Sequence, residues 1–478
     1  MRMHWCTSAG LAVLLVARVG AAANSASLAP ADWDQGLKLH QAVDRNPDSK
    51  IVEIDLTARI ADVEVAGRTV RAWTYDGGLP GPLIRAHVGD RLIVHFTNDL
   101  PQPTTVHWHG VRVPIEMDGV PEISQAEMQR GEVFTYDFVL RDAGLYWYHP
   151  HVMSAAQVGF GLYGALLVED PADEVGIADQ LTLVLSDLGV DRNGGLEPAD
   201  SGGALGMIFG REGEYILVNG TVMPTLRAHS GAPQRWRIVN AAKSRFFLLD
   251  LDGQPFHVIG RDGGLQESPE TLSTLLITPG ERADVIVTPT GAPNGTLTLM
   301  ALLYNRGFGS VEYRNAENIL TIAFSDQPTR PATPPPLTHR EIAAPSREGA
   351  TAVEIVLTLP RAGPDGKAEF HVNGVPFWKA KPFMARIGET QIWTVKNETK
   401  FAHPMHLHGF FFLPLDEQQQ PIRPMAWKDT LNVPMESTIR FLVRFDERPG
   451  MWMFHCHILD HADGGLMGHV HLHPGSPE

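Results

Sequence analysis

Residues Gly450-Met451-Trp452-Met453-Phe454-His455-Cys456-His457 repeat, position for position, the pattern of Gly144-Leu145-Tyr146-Trp147-Tyr148-His149-Pro150-His151. Each is a short apolar and aromatic run opened by glycine, which reads as a β-strand. A second element repeats upstream of each. Gly89 to Asn98 (GDRLIVHFTN) matches Gly388 to Asn397 (GETQIWTVKN), and Gly231 to Asn240 (GAPQRWRIVN) offers a third copy. Nine positions after each asparagine come His107, His406 and Leu249, and two further on come His109, His408 and Leu251. The middle copy of the first element is Gly295 to Leu302, with Met300 and Leu302 where the outer copies hold histidines. No long amphipathic helix interrupts the strand signals. The chain therefore reads as all-β, three consecutive Greek-key β-sandwiches. The middle one is a spacer that keeps the fold without the histidines.

Domain bounds follow at 48–170, 175–326 and 346–474. The stretch 327–345, rich in proline from Pro328 to Pro336, is expected to be an extended linker. The glycine-rich stretch from Asp191 to Gly213 reads as a mobile loop with no assigned task.

The 478 residues are 43% hydrophobic and 20% charged, the composition of a globular protein. A net charge of −16 disfavours a nucleic-acid partner and supplies no basic membrane patch. Residues 1–23 carry Arg2, an apolar run to Val19 and Ala21-Ala22-Ala23, which read as an export signal. That run is too short to span a membrane, and no other membrane span is visible. A periplasmic or secreted protein is expected. Cleavage would remove Cys6 and leave Cys456 as the lone thiol, a liability unless a metal occupies it.

On a strand, residues i and i+2 share a face. His107 and His109 project together, as do the pairs 149/151, 406/408 and 455/457. Eight imidazoles from the outer sandwiches can converge on one site, and imidazole suits copper, zinc, iron or nickel. Cys456 points the other way, as does His403, three residues before His406. His461 lies beyond the strand, where a turn can return it toward Cys456. One cysteine and two histidines make the trigonal set of a blue-copper centre. Structural zinc, by contrast, takes four ligands and favours several cysteines. His40, His87, His95, His229, His257, His339, His371, His469, His471 and His473 fall outside the pattern and read as surface or packing residues. Met405, Met451 and Met453 read as core or strand residues.

With these motifs in place, the chain resembles the three-domain multicopper oxidases of the laccase type, over roughly Ile51 to His473. The resemblance implies cupredoxin-like domains and four copper ions. It makes His403, Cys456 and His461 type 1 ligands, with Leu466 at the axial position. It gives His107 and His406 to a type 2 copper. His109, His149, His151, His408, His455 and His457 then hold a type 3 pair. The implied reaction couples four one-electron oxidations to reduction of dioxygen to water. A leucine at position 466 implies a raised reduction potential, and Met467 is expected to point elsewhere. Ala462 stands where many bacterial relatives carry a proton-delivering glutamate, and Asp463 is a weak substitute. Asp118 matches the family's acidic residue near the cluster and is the candidate for proton supply or electrostatics there.

The methionines are scattered, with no methionine-rich insert. That tilts the expected reductant toward phenols or aromatic amines meeting an exposed histidine edge. A cuprous or other metal-ion oxidase is the alternative. A copper-free scaffold is disfavoured by the full ligand set, and a two-domain nitrite reductase by the 149/151 and 406/408 pairs.

Overall fold

The computed structural model describes residues 26–173, 175–307, 315–327, 340–363 and 366–474. The export signal expected at 1–23 and most of the linker expected at 327–345 lie outside the described residues. The strands form six sheets, two to each sequence copy. Ile51–Val65 through Gly164–Glu169 builds two four-stranded sheets. Gln180–Leu188 through Glu317–Phe324 builds a six-stranded and a five-stranded sheet, and Thr351–Ala362 through Met467–His473 builds two five-stranded ones. Each pair of sheets closes on its own apolar core.

The repeat strands organise these sandwiches. Each runs parallel to the first strand of its unit: Arg91–Asn98 beside Ile51–Val65, Gln234–Asn240 beside Gln180–Leu188, and Thr390–Asn397 beside Thr351–Ala362. In the outer two, burial alternates with period two, as a strand with one solvated face requires. The middle strand is buried throughout. It packs against Gly144–His149 of the first sandwich, so its outward Arg235 and Arg237 become buried and pair with Asp284.

The terminal asparagine does the same work in each copy. Asn98 Nδ2 donates to the Gln102 and Met128 carbonyls, Asn240 Nδ2 to Arg245 and Ile277, and Asn397 Nδ2 to Phe401 and Val433. Each amide fastens the turn that leads to the next strand, and in the outer sandwiches that strand carries the histidines. The short loop makes buried carbonyls that need donors, and the repeat supplies one side chain for the task.

Three short helices are described: α1 (Ser154–Gly159), α2 (Gly203–Phe209) and α3 (Leu459–Asp463). α2 lies within the glycine-rich stretch expected to be a mobile loop. Met207 and Ile208 instead pack on the core of the third sandwich. Its N-cap is Gly202 at φ 69°, with no side-chain capping bond. Packing rather than intrinsic propensity therefore holds it.

Arg282, from the middle sandwich, joins all three units. Its Nε donates to the Leu145 carbonyl of the first sandwich at 3.0 Å. Its Nη1 reaches Asp429 Oδ1 of the third at 2.7 Å. Within its own unit it binds the carbonyls of Gly280 and Asp262. Arg282, Asp429 and Asp262 are all buried, and the low-dielectric surroundings make the pairing strong and its loss costly. Arg282→Met leaves Asp429 without its arginine. We expect a loss of about 3–5 kcal/mol, read as a lower urea midpoint. Arg85→Met, which breaks a surface pair with Glu169, should cost no more than about 1 kcal/mol.

Candidate metal centre

The two outer sandwiches meet face to face through their histidines. His107 stacks on His408 with ring centroids 3.9 Å apart, and His109 on His406 at 3.7 Å. Repeat-equivalent residues thus cross-pair about a local twofold relation. Within each sandwich the second cluster lies beside the first: His107 opposes His149, and His406 opposes His455. Only His107–His109 lies wholly on a strand. His151, His408 and His457 stand one or two residues past a strand end. All eight rings nevertheless gather, with ligand atoms of His107, His406 and His408 within 4.8 Å of one another, as are those of His107, His109 and His149 and of His151, His408 and His455. His457 joins through His109 and His149, at 4.9 and 5.5 Å between centroids.

Most of these rings are held by one nitrogen and present the other. His107 Nδ1 donates to the Asp118 carbonyl at 2.8 Å, His149 Nδ1 to Pro150 at 3.0 Å, and His406 Nδ1 to Asp429 at 3.0 Å. His455 Nδ1 binds the Cys456 carbonyl at 2.9 Å, and His408 Nδ1 the Asp118 carboxylate at 2.8 Å. His109 is reversed: its Nε2 meets Asp429 and Thr430, so Nδ1 is presented. The remaining nitrogens of His107, His109, His149, His151 and His406, and both of His457, are buried without hydrogen-bond partners. So many orphaned imidazole nitrogens in one cavity would each carry a desolvation penalty. A shared cation satisfies them. Burial and neighbouring rings hold His109, His149, His408, His455 and His457 well below the usual imidazole range, and push His151 down to about 3. The rings are neutral and have lone pairs to give, as metal ligation requires.

On the other face of Gly450–Cys456, Cys456 Sγ lies 3.5 Å from His403 Nδ1 and 3.7 Å from His461 Nδ1. The two nitrogens are 3.2 Å apart. Burial pushes His403 down to about 3 and the Cys456 thiol upward, so the sulfur becomes a thiolate only when a cation offsets the desolvation. His403 Nε2 is fixed by Thr399 Oγ1 at 2.8 Å, and Thr399 in turn by the repeat residue Asn397. Leu466 is buried in the surrounding core, and its carbonyl accepts the Cys456 N–H at 3.0 Å. Met467 pairs in register with His455 and so faces away from the sulfur. These donor sets fit copper: imidazoles alone on one face, imidazole and thiolate on the other.

One expectation fails here. The His461 edge is not exposed. His461 is fully buried, its Nε2 donates to the Ile208 carbonyl of α2 at 3.0 Å, and Phe370 stacks on its ring at 4.4 Å. α2 is clamped over it by the Arg211–Asp460 ion pair and by Arg306, which binds the Gly210 carbonyl. Composition gave no sign of this cover, because α2 is a poor helix stabilised by distant residues.

Asp118 sits at the junction of the outer sandwiches. Burial works to raise its carboxyl, but His408 and His107 outweigh that and hold it well below the usual carboxylate range. Asp429 plays the matching part for His109 and His406, kept ionised against burial chiefly by Arg282. Sequence reasoning missed Asp429 and Arg282, since neither belongs to a repeat or a histidine motif. Asp463 Oδ2 accepts the Ala155 N–H of α1 at 2.9 Å.

Three sandwiches, with a cysteine-containing triad and a histidine cluster back to back on one strand, present two donor sets suited to copper. Comparison with known proteins agrees. Multicopper oxidase family models match residues 57–173, 179–324 and 349–476. The chain is 31% identical to the multicopper oxidase MmcO of Mycobacterium tuberculosis, over 88% of this chain and 87% of that one. It is 28% identical to a laccase of Bacillus subtilis, over 83% and 89%. Among solved structures, a multicopper oxidase from Campylobacter jejuni described as a metallo-oxidase matches with TM-score 0.79 at 28% identity, over 94% of this chain and 99% of that one. One from Pseudomonas thermotolerans matches with TM-score 0.75 at 32% identity, over 88% and 99%. The chain belongs to the multicopper oxidase family and is a cupredoxin-fold oxidoreductase with copper cofactors.

Asp118→Asn keeps the shape but removes the charge that orients His408. Turnover should fall at least about tenfold at unchanged copper content. Unchanged turnover in a fully loaded variant would rule out the electrostatic role.

Proposed function

We propose that the chain binds four coppers: one at His403, Cys456 and His461, one at His107 and His406, and a pair at His109, His149, His151, His408, His455 and His457. Bound there, copper supplies one-electron acceptance on one side of the strand and four-electron reduction of dioxygen to water on the other. Cys456 joins the two sides covalently, through its bonds to His455 and His457. Leu466, buried in the same core as Cys456, would offer a copper held there no lone pair, which would favour a high potential. Asp118 and Asp429 fix ring orientation from opposite ends of the cluster and place negative charge beside it. Asp118 touches a histidine of each outer sandwich, which suits it to accepting and passing on a proton, or to electrostatic support, during the oxygen step.

The reductant we propose is a phenol or aromatic amine. The observation that carries this is the apolar rim around the covered His461. Leu205 and Phe209 are exposed on α2. Trp378, 56% exposed, lies against Gly465 just beyond α3, where Met207 of α2 lies against Gly464. A flat aromatic reductant can dock on this rim and pass an electron across the Ile208 carbonyl to His461. The metal-ion reading draws on the metallo-oxidase and copper-resistance relatives.

Metal analysis should give four coppers per chain, and Cys456→Ser should lose the blue absorption and the type 1 electron spin resonance signal while retaining the histidine-bound coppers. Turnover on 2,6-dimethoxyphenol and on Cu(I), measured in parallel, separates the reductants. Phe209→Ala and Trp378→Ala should raise KM for the phenol several-fold, about 1 kcal/mol of lost contact, and leave that for Cu(I) alone. Unchanged phenol KM in both variants, with Cu(I) the faster substrate, would give the metal-ion reading its place.

A further inference from the structure

The strand Met467–His473 lies between Phe383–Arg386 and Gly450–Cys456 in the third sandwich. Val470 and Leu472 point into the core, while Met467, His469, His471 and His473 alternate on the opposite face. Register places a methionine beside a histidine row after row. Met467 opposes His455, Met453 opposes His469, and His471 has Met451 on one side and Met384 on the other. Methionines that look scattered along the chain therefore gather on one sheet face. The reading of these histidines and of Met451 as bland strand residues does not account for that arrangement.

The outermost row is open to solvent. Met384 is 54% exposed, His471 is exposed, and Met451 is half-buried. Directly opposed side chains on neighbouring strands have Cβ atoms about 4.5–5.5 Å apart, and the thioether arms are long and flexible. Both sulfurs can therefore close on one ion held by His471. Among the described residues, its ring neighbour is His473, at 6.3 Å between centroids. One row deeper, His469 has a buried Nδ1 with no hydrogen-bond partner. Core packing explains Met453, which is fully buried. It does not explain an exposed and a half-buried thioether on the two sides of an imidazole.

We propose that Met384, Met451 and His471 form a surface site for Cu(I), separate from the redox centres. Two thioethers and one imidazole, with no carboxylate, are a soft set that selects a soft monovalent ion over hard divalent ones. The site stands whichever reductant the enzyme takes.

The test uses copper-loaded enzyme, kept reduced and anaerobic and titrated with Cu(I) against bicinchoninate. One further Cu(I) per chain is expected beyond the resident copper, with sulfur ligands in its X-ray absorption spectrum. Met384→Leu, Met451→Leu and His471→Gln should each weaken it at least about tenfold. Met223→Leu, at an exposed methionine of the middle sandwich, should leave it unchanged. Resident copper content and melting temperature report that each variant is folded. No further Cu(I), or equal uptake by the wild type and the three site variants, overturns the site and leaves the oxidase reading intact.

Discussion

The contact of Arg282 with Leu145, Asp429 and its own Gly280 and Asp262 carbonyls fixes how the three sandwiches meet. The whole histidine cluster depends on that meeting, because each outer sandwich supplies only half of the rings. The middle sandwich contributes no ligand, yet it supplies the guanidinium that keeps Asp429 ionised and so positions His109 and His406. Its backbone also approaches closely. Gly280, at φ 87°, lies where a Cβ would stand 2.9 Å from His457 and 3.0 Å from His109. A spacer by sequence is thus the third wall of the cluster.

Strand alternation does the rest. Along Gly450–Cys456, successive side chains leave the sheet on opposite faces. The sulfur therefore enters the core of the third sandwich while its neighbours enter the interface with the first. The two centres are separated by the thickness of one strand and linked through its bonds. The same alternation on Met467–His473 sends Val470 inward and His471 outward. One sheet thus carries a buried thiol on one side and thioether and imidazole donors on the other.

Much of this was legible in the residues. The Gly-to-Asn repeat marked the three units, and Asn98, Asn240 and Asn397 do equivalent work because each must satisfy carbonyls in the same tight turn. The histidine pairs were legible because their spacing is short and their types are rare. What escaped was whatever depends on distant pairing. Asp429 and Arg282 are 147 residues apart and carry no local signature. α2 was hidden because a glycine-rich, uncapped segment looks mobile until the surface it packs on is known. The Met–His rows were hidden for the same reason, since register between three strands is not written in any one of them.

The cross-stacking of His107 on His408 and of His109 on His406 carries a consequence for biogenesis. The two partners of each stack come from opposite ends of the chain, so a nascent or truncated polypeptide offers only half a cavity. The full eight-ring cluster therefore forms only once the last sandwich has been made. Chain order thereby sets when the cavity closes.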